Sequence, residues 1–240
     1  MEQSSSDFRT VAVFGASGGI GRALSATLVE RGLTVWAGSR SGEELVEGAK
    51  PFRFDLGDED SIRQATDLMR DDPPDLVIVA TGVLTLSDGT GPERSFKAID
   101  GAAMARMFAA NTIGPALIAK HMLPLMPRDR RCVFAALSAR VGSIGDNRLG
   151  GWHSYRASKA ALNQLIRTIA IEHARRWPES VVASLHPGTV DTRLSQPFQR
   201  SAKTLFTPEI AANHLLQVID NFTPSDSGLV HDWQGKIITP

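Results

Sequence analysis

Apolar residues in this 240-residue chain cluster in short segments at positions 11–14, 34–37, 52–54, 76–80, 132–137 and 181–186, broken only by Thr34, Arg53, Ser184 and His186. The segments are apolar through most of their length rather than alternating, so they predict strands covered on both faces rather than ones with a wet side. Stretches with helical spacing lie between them, at 19–31, 61–70, 102–111, 115–126, 155–176 and 208–221. Strand and helix taken in turn predict an α/β fold: one doubly wound parallel sheet with helices on both faces, filling residues 1–240 as a single domain. Gly32 marks the end of the first helix. Asp58 or Ser61 can cap the helix at 61–70, with Glu59 and Asp60 at its positive end. A last short strand is expected within 228–233. The least regular stretches, 81–99, 138–154 and 187–207, each follow a strand, and open parallel sheets bind ligands beyond those carboxyl ends.

The first such end carries Gly15-Ala16-Ser17-Gly18-Gly19-Ile20-Gly21, directly between the first strand and the first helix. Glycines there let the backbone turn tightly and approach a pyrophosphate, whose charge is met by free N–H groups at the helix start. This is the dinucleotide-binding arrangement of a Rossmann-type sheet. The second strand ends in Gly38-Ser39-Arg40. A carboxylate at that point favours a free ribose 2′-hydroxyl, whereas arginine accepts a 2′-phosphate. Ser39 and Arg40 without a carboxylate therefore predict NADP(H) in preference to NAD(H).

Tyr155, the only tyrosine, stands four residues before Lys159 in a predicted helix. Residues four apart share a helix face, so phenol and ammonium address the same small volume. A cation within about 4–6 Å lowers an acid's pKa by roughly 1–3 units, which is expected to bring the phenol towards neutrality as a proton donor and acceptor.

In this order the segments resemble the short-chain dehydrogenase/reductase family over essentially the whole chain. Gly15, Gly19 and Gly21 match its Gly-x-x-x-Gly-x-Gly cofactor loop, with Ser17, Gly18 and Ile20 inside it. The resemblance implies that Asp55 and Leu56 contact adenine. Thr81-Gly82 ends a motif whose usual asparagine is replaced by Ala80. Asn111 matches the asparagine that holds a proton-relay water, Tyr155 and Lys159 match the catalytic pair, and Lys159 also bonds the nicotinamide ribose. Pro187, Gly188, Val190 and Thr192 match the segment that holds the nicotinamide carboxamide. The run from Ser138 to Ile144 and the Asp146-to-Trp152 stretch ahead of the tyrosine resemble the C-factor and sniffer-like carbonyl reductase branch, and Trp152 is expected to wall the substrate pocket.

One position departs from the pattern. The family's catalytic serine is usually the second of a Ser-Ser pair ending the fifth strand, and Ala139 stands there. Ser138, one residue earlier, is expected to supply the hydroxyl in preference to Ser143. If Ala139 occupies the catalytic position, however, strand alternation turns Ser138 away. The resemblance implies an NADPH-dependent oxidoreductase acting on a ketone, aldehyde or alcohol, assembled as a homodimer or homotetramer. The alternative is an NADP(H)-binding signalling protein with little turnover.

Acidic and basic residues balance at 26 each, so no net field favours nucleic acid or a membrane surface, and a small neutral substrate is the expected partner. The single cysteine, Cys132, lies in an apolar run and cannot form an internal disulfide. No Cys/His spacing suggests a metal. The N-terminal residues are polar, and no run approaches the ~20 apolar residues of a membrane span, so the expected location is cytoplasmic.

Overall fold

In a computed structural model, which describes residues 7–201 and 204–240, seven parallel strands form one sheet. The strands are β1 (Thr10–Phe14), β2 (Thr34–Ser39), β3 (Lys50–Arg53), β4 (Leu76–Val79), β5 (Val133–Leu137), β6 (Val181–His186) and β7 (Val230–Asp232). Their order across the sheet is β3-β2-β1-β4-β5-β6-β7. The chain thus runs outward from β1 to one edge, returns, and continues from β4 to the other. That reversal leaves a crevice beyond the carboxyl ends of β1 and β4.

Six helices cover the faces: α1 (Gly19–Glu30), α2 (Glu59–Asp67), α3 (Gly101–Phe108), α4 (Gly114–Met122), α5 (His153–Ala174) and α6 (Pro208–Asp220). Side chains alternate across each strand, so the largely apolar runs feed two cores. Val11, Val13, Leu76, Ile78, Val133 and Ala135 face α1 and α6, while Phe14, Val77, Val79 and Phe134 face α2, α4 and α5. Phe14 and Phe134 are fully buried, each contributing about 1.5–3 kcal/mol by leaving water. The Phe14 ring also meets those of Phe52 and Phe54 edge-on at 5.0 and 5.1 Å.

Helix boundaries follow local chemistry. Asp58 caps α2, accepting from the Asp60 and Ser61 amides at 3.0 and 3.3 Å, so that helix starts at Glu59 rather than 61. Between α3 and α4 the expected break is absent. A π-helical turn, Ala109–Ile113, joins them into one continuous helical run. Pro115 has no N–H for the Asn111 carbonyl four residues back, and the wider turn absorbs that missing donor without ending the helix.

Asp75, fully buried just before β4, ties the start of β1 in place. Its carboxylate accepts from the amides of Arg9 and Thr10 at 3.0 and 3.2 Å and from Arg130 Nε at 3.2 Å. Asp75→Ala would leave two amides unmet and take from Arg130 its buried partner, leaving it only the exposed Asp129. An unfolding free energy lower by roughly 2–4 kcal/mol is expected by urea denaturation, and a change below about 1 kcal/mol would show that the cluster is not holding β1.

Candidate functional site

The glycine loop is the tightest backbone in the site. Gly15 adopts φ +102°, and a Cβ on Gly21 would lie 2.2 Å from the Gly15 carbonyl oxygen, so neither position admits a side chain without moving the turn. The Gly15 and Ala16 amides donate to the Gly38 carbonyl at 3.0 and 2.8 Å, which locks the loop to the end of β2. A Cβ on Gly19 would lie 2.8 Å from Thr192 Cγ2. The segment running from Pro187 and Gly188 through Val190 to Thr192 therefore folds back over the loop, and Val190 forms an isolated bridge with Phe206. Thr81 flanks Gly15 across the crevice, its methyl 3.0 Å from a Cβ built there. The Thr81 hydroxyl is buried without a hydrogen-bond partner among the described residues. A cradle closed to side chains at the start of α1, beside an unspent hydroxyl, fits the pyrophosphate of a dinucleotide.

Within the loop, Ser17 and Gly18 are the exposed residues of the turn, and Ile20 packs against the α1–α6 core. Ser39, ending β2, is buried, and its hydroxyl takes up the Gly42 amide at 3.0 Å. Arg40 follows it, exposed at the surface. Asp55 is exposed beyond β3, where its carboxylate accepts from the Gly57 amide at 2.9 Å. Leu56 is half-buried and packs at the start of α4.

Asn111 sits in the π turn and is fully buried. Its amide exchanges two bonds with the Val83 backbone, accepting from N at 2.8 Å and donating to O at 2.9 Å, and donates to Ser158 Oγ at 3.1 Å. Ser158 lies on α5 between Tyr155 and Lys159, so Asn111 fastens the loop after β4 to the helix that carries the expected pair. A Cβ on Gly82 would stand 3.3 Å from Asn111 Oδ1 and 3.4 Å from Lys159 Nζ. The Lys159 ammonium donates to the Leu137 carbonyl at 2.8 Å. Tyr155, one turn earlier, lies in a small apolar cluster with Leu84 and Met107, edged by Trp152, Phe198 and Ala139.

Burial pushes the Lys159 ammonium down to about 8 and the Tyr155 phenol up to about 12. The expected lowering of the phenol is therefore corrected: in the protein alone the loss of water around Tyr155 outweighs the neighbouring cation. At neutral pH the phenol is protonated, which is the form a proton donor needs.

The serine expectation is corrected as well. Ser138 continues the alternation of β5 towards α5, and its hydroxyl proton goes to Asn163 Oδ1 at 2.7 Å. The Ser143 hydroxyl donates to the Thr239 carbonyl and accepts from the Asp146 amide. Ala139, with no hydroxyl, packs against the apolar cluster that contains Tyr155. Asn163 was missed by sequence reasoning, although its place four residues after Lys159 puts it on the same helix face. Trp152 stands where expected, its ring edge-on to Tyr155 at 6.1 Å. Phe198, 5.0 Å from Trp152, and Met107 carry no sequence signal beyond ordinary apolar character. Both also line a cavity of about 540 Å³ beneath the 86–100 loop. Among the described residues no helix is long and apolar enough to cross a membrane.

Residues 9–203 match the short chain dehydrogenase family model. The chain is 35% identical over 164 residues to C-signal of Myxococcus xanthus, covering 68% of this chain and 90% of that protein. It is 32% identical over 234 residues to 1-hydroxy-2-glutathionyl-2-methyl-3-butene dehydrogenase of Rhodococcus sp. (strain AD45), covering 95% and 98%. Its fold superposes on that of an NADPH-bound carbonyl reductase from chicken fatty liver with a TM-score of 0.84, at 24% identity and covering 97% of this chain and 99% of the other. With the glycine loop, Asn111, Tyr155 and Lys159 gathered at one sheet edge and a family match across most of its length, this chain belongs to the short-chain dehydrogenases/reductases and is an NAD(P)-dependent oxidoreductase.

Proposed function

We propose that the protein is an NADPH-dependent reductase of small ketones or aldehydes, with Tyr155 as the proton donor. The observation that carries this reading is the arrangement on α5: a buried, protonated phenol and a buried ammonium on successive turns, beside Asn111 and at the mouth of the cofactor crevice. Bound NADPH supplies the hydride. Gly15, Ser17, Gly18, Gly19, Ile20, Gly21 and Thr81 hold the pyrophosphate region, Asp55 and Leu56 border the adenine, and Pro187, Gly188, Val190 and Thr192 close over the nicotinamide end. Tyr155 protonates the carbonyl oxygen as negative charge develops on it. Lys159 orients the ribose and keeps positive charge near the phenol, which favours proton loss at that moment. Asn111, whose main-chain carbonyl is left without an α-helical donor by Pro115, supports the water that returns a proton to the site.

A second reading, a cofactor-binding signalling protein with little turnover, is favoured by one observation: Ala139 brings no hydroxyl to Tyr155, and the nearest serines have their protons engaged elsewhere. Steady-state NADPH consumption with a panel of carbonyl compounds separates the two. Turnover with any of them supports the reductase, and tight NADPH binding without turnover supports the second reading.

The catalytic roles are separable by substitution. Tyr155→Phe removes the only phenol and should abolish reduction with NADPH binding intact, so near-normal turnover would exclude Tyr155 as the donor. Ser138→Ala and Ser143→Ala, compared on the same substrate, should each lose less than about tenfold. A donor aimed at the reacting oxygen is worth ~10²–10³ in turnover, and a loss of that size in either variant would identify a serine that swings into the site.

The cofactor preference rests on Arg40. A charge-assisted bond to phosphate is worth roughly 1.5–3 kcal/mol, so Arg40→Ala should weaken NADPH about 10–100-fold and leave NADH nearly unchanged. Equal wild-type affinities for the two cofactors by titration calorimetry would contradict the assignment.

Acidity gives the last. Lys159 is charged below about 8 and neutral above it, while Tyr155 keeps its proton to far higher pH. The reduction rate is therefore expected to hold through neutrality and fall as pH rises through about 8. A kcat profile flat to about pH 10, the ordinary lysine range, would mean that the ammonium is not required.

A further inference from the structure

Helix α5 begins without a cap of its own. Trp152, the residue before it, makes no side-chain capping bond and adopts φ +55°, ψ +42°, a left-handed conformation rarely taken by a bulky residue. The first amides of a helix need acceptors, and a Ser, Thr, Asp or Asn at the cap position usually supplies one. Here the acceptor comes from a segment 61 residues away in sequence. Glu93, in the loop between β4 and α3, accepts from the Ser154 amide at 3.1 Å and from the Ser154 hydroxyl. Its main-chain carbonyl accepts from the Trp152 amide at 2.5 Å.

We propose that Glu93 is a positioning residue for carbonyl reduction: it caps α5 from a remote loop and thereby fixes the turn that presents Tyr155 and the Trp152 wall beside it. The inference rests on the reading of Tyr155 as proton donor. Burial of the Glu93 carboxyl opposes its charge, yet the Ser154 bonds prevail and hold it below the usual carboxylate range. It is thus an anion at the positive end of the helix. Tyr155 is the next residue after Ser154, so the clamp acts one peptide from the phenol. Lys159, one turn further, has its own anchor in the Leu137 carbonyl, and the body of α5 is held by Leu162, Ile166 and Ala170 in the core. Loss of the clamp should loosen the first turn without unfolding the helix. Glu93 and Ser154 also line the cavity of about 540 Å³, which shares Met107 and Phe198 with the apolar cluster around Tyr155.

The test uses the full chain with NADPH and a reducible carbonyl compound. Glu93→Ala should lower kcat roughly 10–100-fold, the range expected for a reacting group displaced by about 1 Å. The NADPH dissociation constant should change less than about twofold. Glu93→Gln keeps a neutral acceptor for the same bonds and should restore kcat to within about threefold of wild type. Because Tyr155 is the only tyrosine, tyrosinate absorbance reports on that turn alone. Its titration midpoint should fall towards that of an ordinary phenol in Glu93→Ala, as water enters, and stay high in Glu93→Gln. Unchanged kcat and midpoint in Glu93→Ala would overturn the proposal, as would a Glu93→Gln variant as impaired as Glu93→Ala. If Glu93→Ala does not fold, Ser154→Ala removes only the hydroxyl bond and should lose roughly 3–10-fold in kcat, and full activity there would overturn it too. Tyr155→Phe, run alongside, keeps the two readings apart. Normal reduction by that variant would refute the proton-donor role, while the tyrosinate midpoints would still decide whether Glu93 holds the turn.

Discussion

A lysine buried at the end of a sheet needs an acceptor within reach, and for Lys159 it is the last carbonyl of β5. That contact, Nζ to the Leu137 oxygen at 2.8 Å, ties α5 to the carboxyl end of β5, while Leu162, Ile166 and Ala170 hold the body of the helix in the core. One turn before it comes Tyr155, one turn after it Asn163, and between them Ser158 receives Asn111. A parallel sheet makes the contact possible, because every strand ends at the same edge and the carbonyls there are not all spent on a following strand. Burial then depresses the lysine and raises the tyrosine, separating their proton affinities so that cation and neutral phenol coexist at neutral pH.

The π turn serves the same edge from the other side. An uninterrupted α-helix through Pro115 would clash with the carbonyl four residues back. Widening the turn at Ala109–Ile113 relieves this and projects Asn111 inward, where it meets Val83 and Ser158. An irregularity forced by one proline thus links the β4 loop to α5. The loop carrying Glu93 does so a second time, at the helix start. Helix α5 is therefore gripped by two segments that both lie between β4 and β5.

The serine position is where a family pattern and this chain part. A hydroxyl at residue 139 would stand in the cluster around Tyr155, and alanine there leaves only apolar contact. Ser138 cannot substitute by proximity in sequence, because its side chain follows the strand alternation to the opposite neighbour, Asn163. Ser143 is drawn the other way, into a latch with the main chain at Thr239, while Gly145 donates to the Pro240 carbonyl. On the proposed reading, the proton chemistry of the site falls to Tyr155, Lys159 and Asn111.

Much of this was legible along the chain. Runs apolar throughout determine buried parallel strands, since a strand covered on both faces has no polar side to show. Strands β1, β4 and β5 follow from that pattern, and the glycine loop after β1 from the steric demand of Gly15 and Gly21, whereas the edge strand β3 buries only Phe52. The Tyr155–Lys159 spacing places both groups on one helix face, because helical periodicity is local. Tertiary structure alone decided the rest, because each case depends on residues distant in sequence. Residues 102–126 read as two helices, whereas a π turn, whose Asn111 and Thr112 bond Ser158 on α5, makes them one run. The phenol was expected to be lowered by its neighbour, yet its acidity depends on how completely the surrounding chain excludes water. Ser138 and Ala139 differ by one position, and which of them meets Tyr155 depends on where β5 ends. Glu93 carries no motif: its role arises because a loop leaving β4 brings a carboxylate to the bare first turn of α5, 61 residues on.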